Sequence, residues 1–291
     1  MSRSVLPRNE STPTVLLAHG AFADGSMWTG VITKLQAAGI DVIAVASPLR
    51  GLASDAAYVA SAVAEIDGPV LLAGHDYGGA VISAAGSAGG NVAALVYVAA
   101  FALDEGESAL DITGRFPGSQ LMPALRPATF PGVDGDPAIE LYIDREAYPR
   151  VFAADLPYRS ATAAAAAQRP ITAAAFEEKS PAAAWKTIPS WYIVAAADQV
   201  IPPESQQFMA RRAGAHSIEI DASHAIALTQ PAAVAGHIAT AASSASRRRH
   251  VRPIRPKGSA ALPHPHARRN STVHRKPTAT TTVTAKKRPR S

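Results

Sequence analysis

Val92–Ala100 (VAALVYVAA) is a run of nine uncharged, mostly apolar residues. It is far short of the roughly 20 apolar residues that span a bilayer, and too continuous for a strand with one wet face. Such a run marks a strand covered by helices on both sides of a parallel sheet. The same theme recurs along the chain. Thr14–Ala18 (TVLLA) precedes a helix over 28–38 closed by Gly39, 41–46 (DVIAVA) precedes a helix over 54–66, and 70–74 precedes a helix over 78–88. Strands over 191–196 and 217–220 later alternate with helices over 203–213 and 231–242. This alternation predicts an α/β fold, a doubly wound and mostly parallel sheet whose ligands bind beyond the carboxyl ends of the strands.

Between 104 and 187 the alternation stops in favour of Pro- and Gly-rich turns, scattered Tyr and Phe, and an alanine-dominated helix over 160–168. That segment reads as a cap inserted into a domain spanning 13–246. Residues 247–291 hold 14 of the 28 basic residues and no acid, leaving 14 cations against 23 acids, a net −9, for residues 1–246. The basic segment has almost no large apolar residues and is predicted to be a disordered tail. It would either touch polyanions nonspecifically or serve as a solvated extension without a role. Residues 1–12 read as a flexible N-terminus without the apolar stretch of a secretory signal, so the expected address is cytoplasmic, with no membrane span. Without Cys there is neither a disulfide nor a thiol nucleophile. No metal-ligand spacing is present, and the Gly-rich 86–90 (GSAGG) follows a helix rather than opening one, so no cofactor is expected.

The residues that carry chemistry begin with Gly74-His75-Asp76-Tyr77-Gly78-Gly79, between a strand and a small-residue helix. The spacing is that of a nucleophile elbow, a strained strand-to-helix turn whose flanking glycines let the central side chain stand above the sheet. Its central position is Asp76. An Asp before a helix can also be a simple N-cap. Two further residues follow at the ends of later strands, Asp198 in AAADQVIPP and His224 in ASHAIALTQP, giving the order nucleophile, acid, histidine. Asp104, after the Val92–Ala100 strand, is a competing acid.

With these motifs the chain resembles the α/β-hydrolase superfamily over about residues 13–243. His19-Gly20-Ala21-Phe22, with Trp28 downstream, resembles the HGA-type loop of the small esterases that also include plant methyl esterases and hydroxynitrile lyases. The resemblance implies that the Ala21 and Tyr77 backbone N–H groups form an oxyanion hole, and that Asp198, in its D-x-x-I-P-P context, is the triad acid. Those relatives carry Ser in the elbow, whereas this chain carries Asp76. A carboxylate attacking an ester gives a mixed anhydride, whereas one attacking saturated carbon gives a stable alkyl ester. The similarity therefore shifts towards Asp-nucleophile branches such as epoxide hydrolases, in which a histidine activates water to cleave the alkyl-enzyme ester.

Dehalogenases would call for Asn and Trp where Ala21 and Tyr77 stand, and hydroxynitrile lyases for Lys where Ala225 stands. The expected function is hydrolysis of a small, weakly polar substrate by Asp76, Asp198 and His224, with Tyr142, Tyr148 or Tyr158 of the cap as proton donor. The alternative is an esterase-like scaffold that lost its Ser and binds a small ligand or partner.

Overall fold

The computed structural model describes residues 12–132 and 135–250. Six strands form one fully parallel sheet: β1 (Thr14–Ala18), β2 (Val42–Val45), β3 (Val70–Asp76), β4 (Val92–Ala100), and two later strands, Ser190–Ala195 and His216–Ile220. From one edge the order is β2, β1, β3, β4, Ser190–Ala195, His216–Ile220. The chain leaves β1 towards one edge and returns on its other side at β3. The strand order therefore reverses between β1 and β3, where a crevice opens at the carboxyl ends.

Alternate side chains of each strand feed two cores. Leu16, Ala18 and Leu72 join one apolar cluster, which also holds Val59 and Val81 from helices α2 (Leu52–Ala64) and α3 (Tyr77–Ala88). Val15, Leu17, Leu71 and Ala73 join the other, with Val31 and Leu35 of α1 (Thr29–Ala37) and Val234 and Ile238 of the helix Pro231–His250. This two-sided burial explains why the strands read as continuous apolar runs. The last helix reaches His250, beyond the predicted end at 242 and four residues into the segment expected to be tail. Expectations for 1–11 and 251–291 lie outside the described residues. Among the described residues no helix is long and apolar enough to cross a membrane.

The segment 104–187 contains structure that the sequence reading missed. Strands β5 (Leu125–Pro131) and β6 (Pro137–Ile143) pair antiparallel, and β7 (Ile171–Thr172) adds to β6. Pro127, Pro131 and Pro137 suggest turns, but β5 is an edge strand, where a residue without an N–H is tolerated. The predicted alanine helix is present over Tyr158–Ala167. The segment is tied to the main sheet's loops by Thr172 N–H to Leu49 O (3.0 Å), Phe22 N–H to Arg169 O (2.9 Å) and an Arg50–Glu140 ion pair (2.8 Å).

The junction of β3 and α3 leaves no space for side chains. A Cβ on Gly78 would lie 2.5 Å from Ala18 O, and one on Gly74 2.4 Å from Gly78 O. In the last helix a Cβ on Gly236 would meet nothing within 4 Å. Gly78→Ala is expected to destabilise the protein by about 1–3 kcal/mol through overpacking, whereas Gly236→Ala should stabilise it by about 0.5–1 kcal/mol. Denaturant unfolding of both variants checks the pair, and equal midpoints would refute the packing.

Candidate active site

At the end of β3 the backbone of Asp76 sits at φ 52°, ψ −125°, a conformation that a residue with a Cβ adopts only when its surroundings force it. Gly74 and Gly78 permit that turn by letting β3, α3 and the β1 loop approach closely. Asp76 makes no side-chain capping bond to α3, so the N-cap reading fails. Its carboxylate turns instead towards the loop after β1, where Ala21 N–H donates to Oδ2 at 2.8 Å. Gly20 is indispensable to this approach, because a Cβ there would lie 2.4 Å from Asp76 Cβ and 2.5 Å from Oδ2.

The other oxygen, Oδ1, faces His224 Nε2 at 3.6 Å, too long for a hydrogen bond but within ion-pair range. On the far side of the ring, His224 Nδ1 meets Asp198 Oδ2 at 2.7 Å. Asp198 is itself fixed: its Oδ1 accepts from Val200 N–H (2.7 Å) and Ile201 N–H (3.0 Å), and its Oδ2 from Gln206 Nε2 (2.7 Å). Gln206 also accepts from Ala195 N–H at 3.0 Å, which locks its amide orientation. The sequence reading missed Gln206. Its signal is a glutamine eight residues after Asp198, the first of the pair Gln206-Gln207, one turn into the helix Pro203–Arg212. Asp104, the competing acid, pairs with Lys186 at 2.5 Å.

His75, within the elbow, is fully buried and places Nε2 2.9 Å from His224 O. A carbonyl only accepts, so Nε2 carries the proton. Burial, then the neighbouring His224, push the His75 pKa down to about 3, so this ring stays neutral. His224 behaves oppositely. Burial disfavours its charge, but the Asp198 and Asp76 carboxylates outweigh that and raise its pKa to about 10. For Asp76 burial likewise acts against the charged form. His224 and the Tyr77 backbone N–H prevail and hold the carboxyl below its usual range. The flanking carboxyl groups thus favour a proton on His224.

The three cap tyrosines lie in different surroundings. Tyr158 is 73% exposed, and Tyr142 donates to Glu140 Oε1 at 2.8 Å beside Arg50. Tyr148 is buried, donates to Phe22 O at 3.0 Å, and stacks on Phe152, whose ring meets His224 edge-on with centroids 4.8 Å apart. Tyr148 also lines an apolar cavity of about 260 Å³ with Phe22, Met27, Leu156, Ala164 and Leu228. Asp76 is 2% and His224 0% exposed, so a substrate reaches them only when the covering residues move.

The profile of the alpha/beta hydrolase family matches residues 15–237. Among solved structures, a pyrethroid hydrolase from Sphingobium faniae JZ-2 is similar at 24% identity, over 80% of this chain and 98% of that one, with TM-score 0.65. Polyneuridine aldehyde esterase follows at 19% identity, 79% and 98% coverage and TM-score 0.67. A methylesterase from Arabidopsis is similar at 18% identity, 80% and 99% coverage and TM-score 0.66. No curated protein matches the sequence.

Because the folded pKa of His224 lies above its ordinary 6.5, the stability this group contributes is complete below pH 6.5 and is lost as pH rises through about 10. Asp76→Asn removes one flanking charge. The His224 titration followed by NMR should then move down towards its ordinary value, and the loss of stability should be complete at lower pH. An unchanged titration would show that Asp76 does not hold the proton on the ring.

Proposed function

The chain belongs to the alpha/beta hydrolase family and is a hydrolase of that type; from that premise we propose that it hydrolyses small, weakly polar epoxides through an alkyl ester formed on Asp76. The observation that carries this reading is the division of labour between the two Asp76 oxygens. Oδ2 already engages the Ala21 N–H, which leaves that donor occupied against a substrate ester carbonyl, while Oδ1 faces His224. Such a carboxylate is prepared to be alkylated rather than to perform acyl transfer.

In the first step Oδ1 bonds to an epoxide carbon and the ring C–O bond breaks. The departing oxygen takes its proton from His224 Nε2, since Tyr142, Tyr148 and Tyr158 are engaged elsewhere or exposed. The same step neutralises Asp76, so one of the two charges that held the proton on His224 is gone. His224 emerges neutral, oriented by Asp198, and able to act as a base. It then takes a proton from water, and the resulting hydroxide adds to Asp76 Cγ. Negative charge develops on Oδ2 against the Ala21 and Tyr77 N–H groups. Collapse breaks the bond between Cγ and the alkyl oxygen. The diol departs with the proton of the tetrahedral hydroxyl, and carboxylate and imidazolium are restored. The apolar cluster that includes Phe22, Tyr148, Phe152 and Ala225 favours a substrate with little polarity beyond the reacting oxygen.

Intact-mass spectrometry of His224→Ala after exposure to panels of epoxides, alkyl halides and esters tests the reading, with Asp76→Asn as the control. Alkylation slows without the acid, but the ester then lacks its base and accumulates. The expected result is an epoxide adduct mapping to the peptide that contains Asp76. No adduct, together with no turnover by the native protein on any panel, would sink the proposal in favour of a binding scaffold.

A further inference from the structure

His224 is gripped through its backbone as well as its ring, and much of that grip comes from the cap. Asp155, just after the short helix Tyr148–Val151, accepts through Oδ2 from Ser223 N–H at 3.0 Å and through Oδ1 from the Ser223 hydroxyl. Phe152 O accepts from Ala225 N–H at 3.0 Å, and the Phe152 ring lies against the imidazole. Residues on both sides of His224 are thus bonded to one four-residue stretch of the cap, while His75 holds the His224 carbonyl from the elbow. We propose that Asp155 is a positioning residue, a cap carboxylate that sets the backbone of Ser223 and thereby aims His224 at Asp76 and Asp198.

The inference rests on the role proposed above for His224, though the geometry it concerns exists without catalysis. Ser223 has no other acceptor of comparable quality, since its hydroxyl lies 3.4 Å from Phe152 O. Without Asp155 the Ser223 N–H and hydroxyl lose their carboxylate, and the loop between His216–Ile220 and Ile226–Thr229 is free to shift. A displacement of an ångström is enough to cost on the order of 100-fold in rate. The same bonds make any movement of 152–155 a movement of the loop that carries His224. A cap that shifts to admit substrate must return before the base is in place.

Three variants test this: Asp155→Ala, Asp155→Asn, which keeps one acceptor oxygen, and Ser223→Ala, which keeps the N–H. The first readout needs no turnover: the NMR signal of the His224 Nδ1 proton, shielded from exchange by its bond to Asp198. It should be sharp in the native protein, broadened or lost in Asp155→Ala, and largely restored in Asp155→Asn. The second readout is turnover of an epoxide that the native protein accepts. In Asp155→Ala kcat should fall on the order of 100-fold with KM near native, and Asp155→Asn should recover most of it. If Asp155→Ala does not fold, the two milder variants should show the same loss in smaller degree. A native Nδ1 signal and pH titration in every folded variant would overturn the inference. If the native protein turns over nothing, the catalytic reading fails and the proton signal still decides the positioning role.

Discussion

Two carboxylates buried against one imidazole set the terms for the rest of the centre. The Asp198 and Asp76 carboxylates offset the cost of burying a charge on His224, and His224 in turn favours the ionised form of Asp76. The proton on His224 and the charge on Asp76 are therefore coupled, and a change in one alters the other. Much of the surrounding fold serves to hold this triple in register. The positive φ of Asp76 turns its carboxylate back towards β1, the glycines let backbones close around it, and Gln206 with two loop amides fixes Asp198.

This interdependence separates the centre from one with a hydroxyl in the elbow. A serine there would be neutral at rest and would leave the histidine with a single anionic partner. An aspartate adds a second, which favours a proton on the resting histidine.

Much of the fold was legible in the sequence because its strands are covered on both faces, and composition alone marks such strands. Val92–Ala100 and Thr14–Ala18 were delimited to the residue. The meeting of Asp76, Asp198 and His224 was legible for a related reason. A parallel sheet brings the carboxyl ends of all its strands to one edge, so Asp76, Asp198 and His224 could be picked out as polar residues at or just after strand ends. The cap was not legible. Proline in β5 and β6 carries the sign of a turn, and only the edge position of β5, a fact of tertiary structure, makes it compatible with a strand. The partners that hold the site were hidden as well. Gln206, Asp155 and Tyr148 act through contacts across 8 to 126 positions of sequence, and only Gln206 lies near enough to its partner to leave a local sign.

The prolines of the cap sheet have one more effect, which concerns other copies of the chain. An edge strand normally offers a row of unpaired N–H and C=O groups to any extended segment that drifts against it, a route to fibrils and to swapped dimers. β5 carries proline at 127 and again at 131, each a position with no N–H to offer. A foreign strand laid along it would find its ladder interrupted within a few residues. The feature that made this hairpin hard to find in the sequence also makes it a poor template for a stranger.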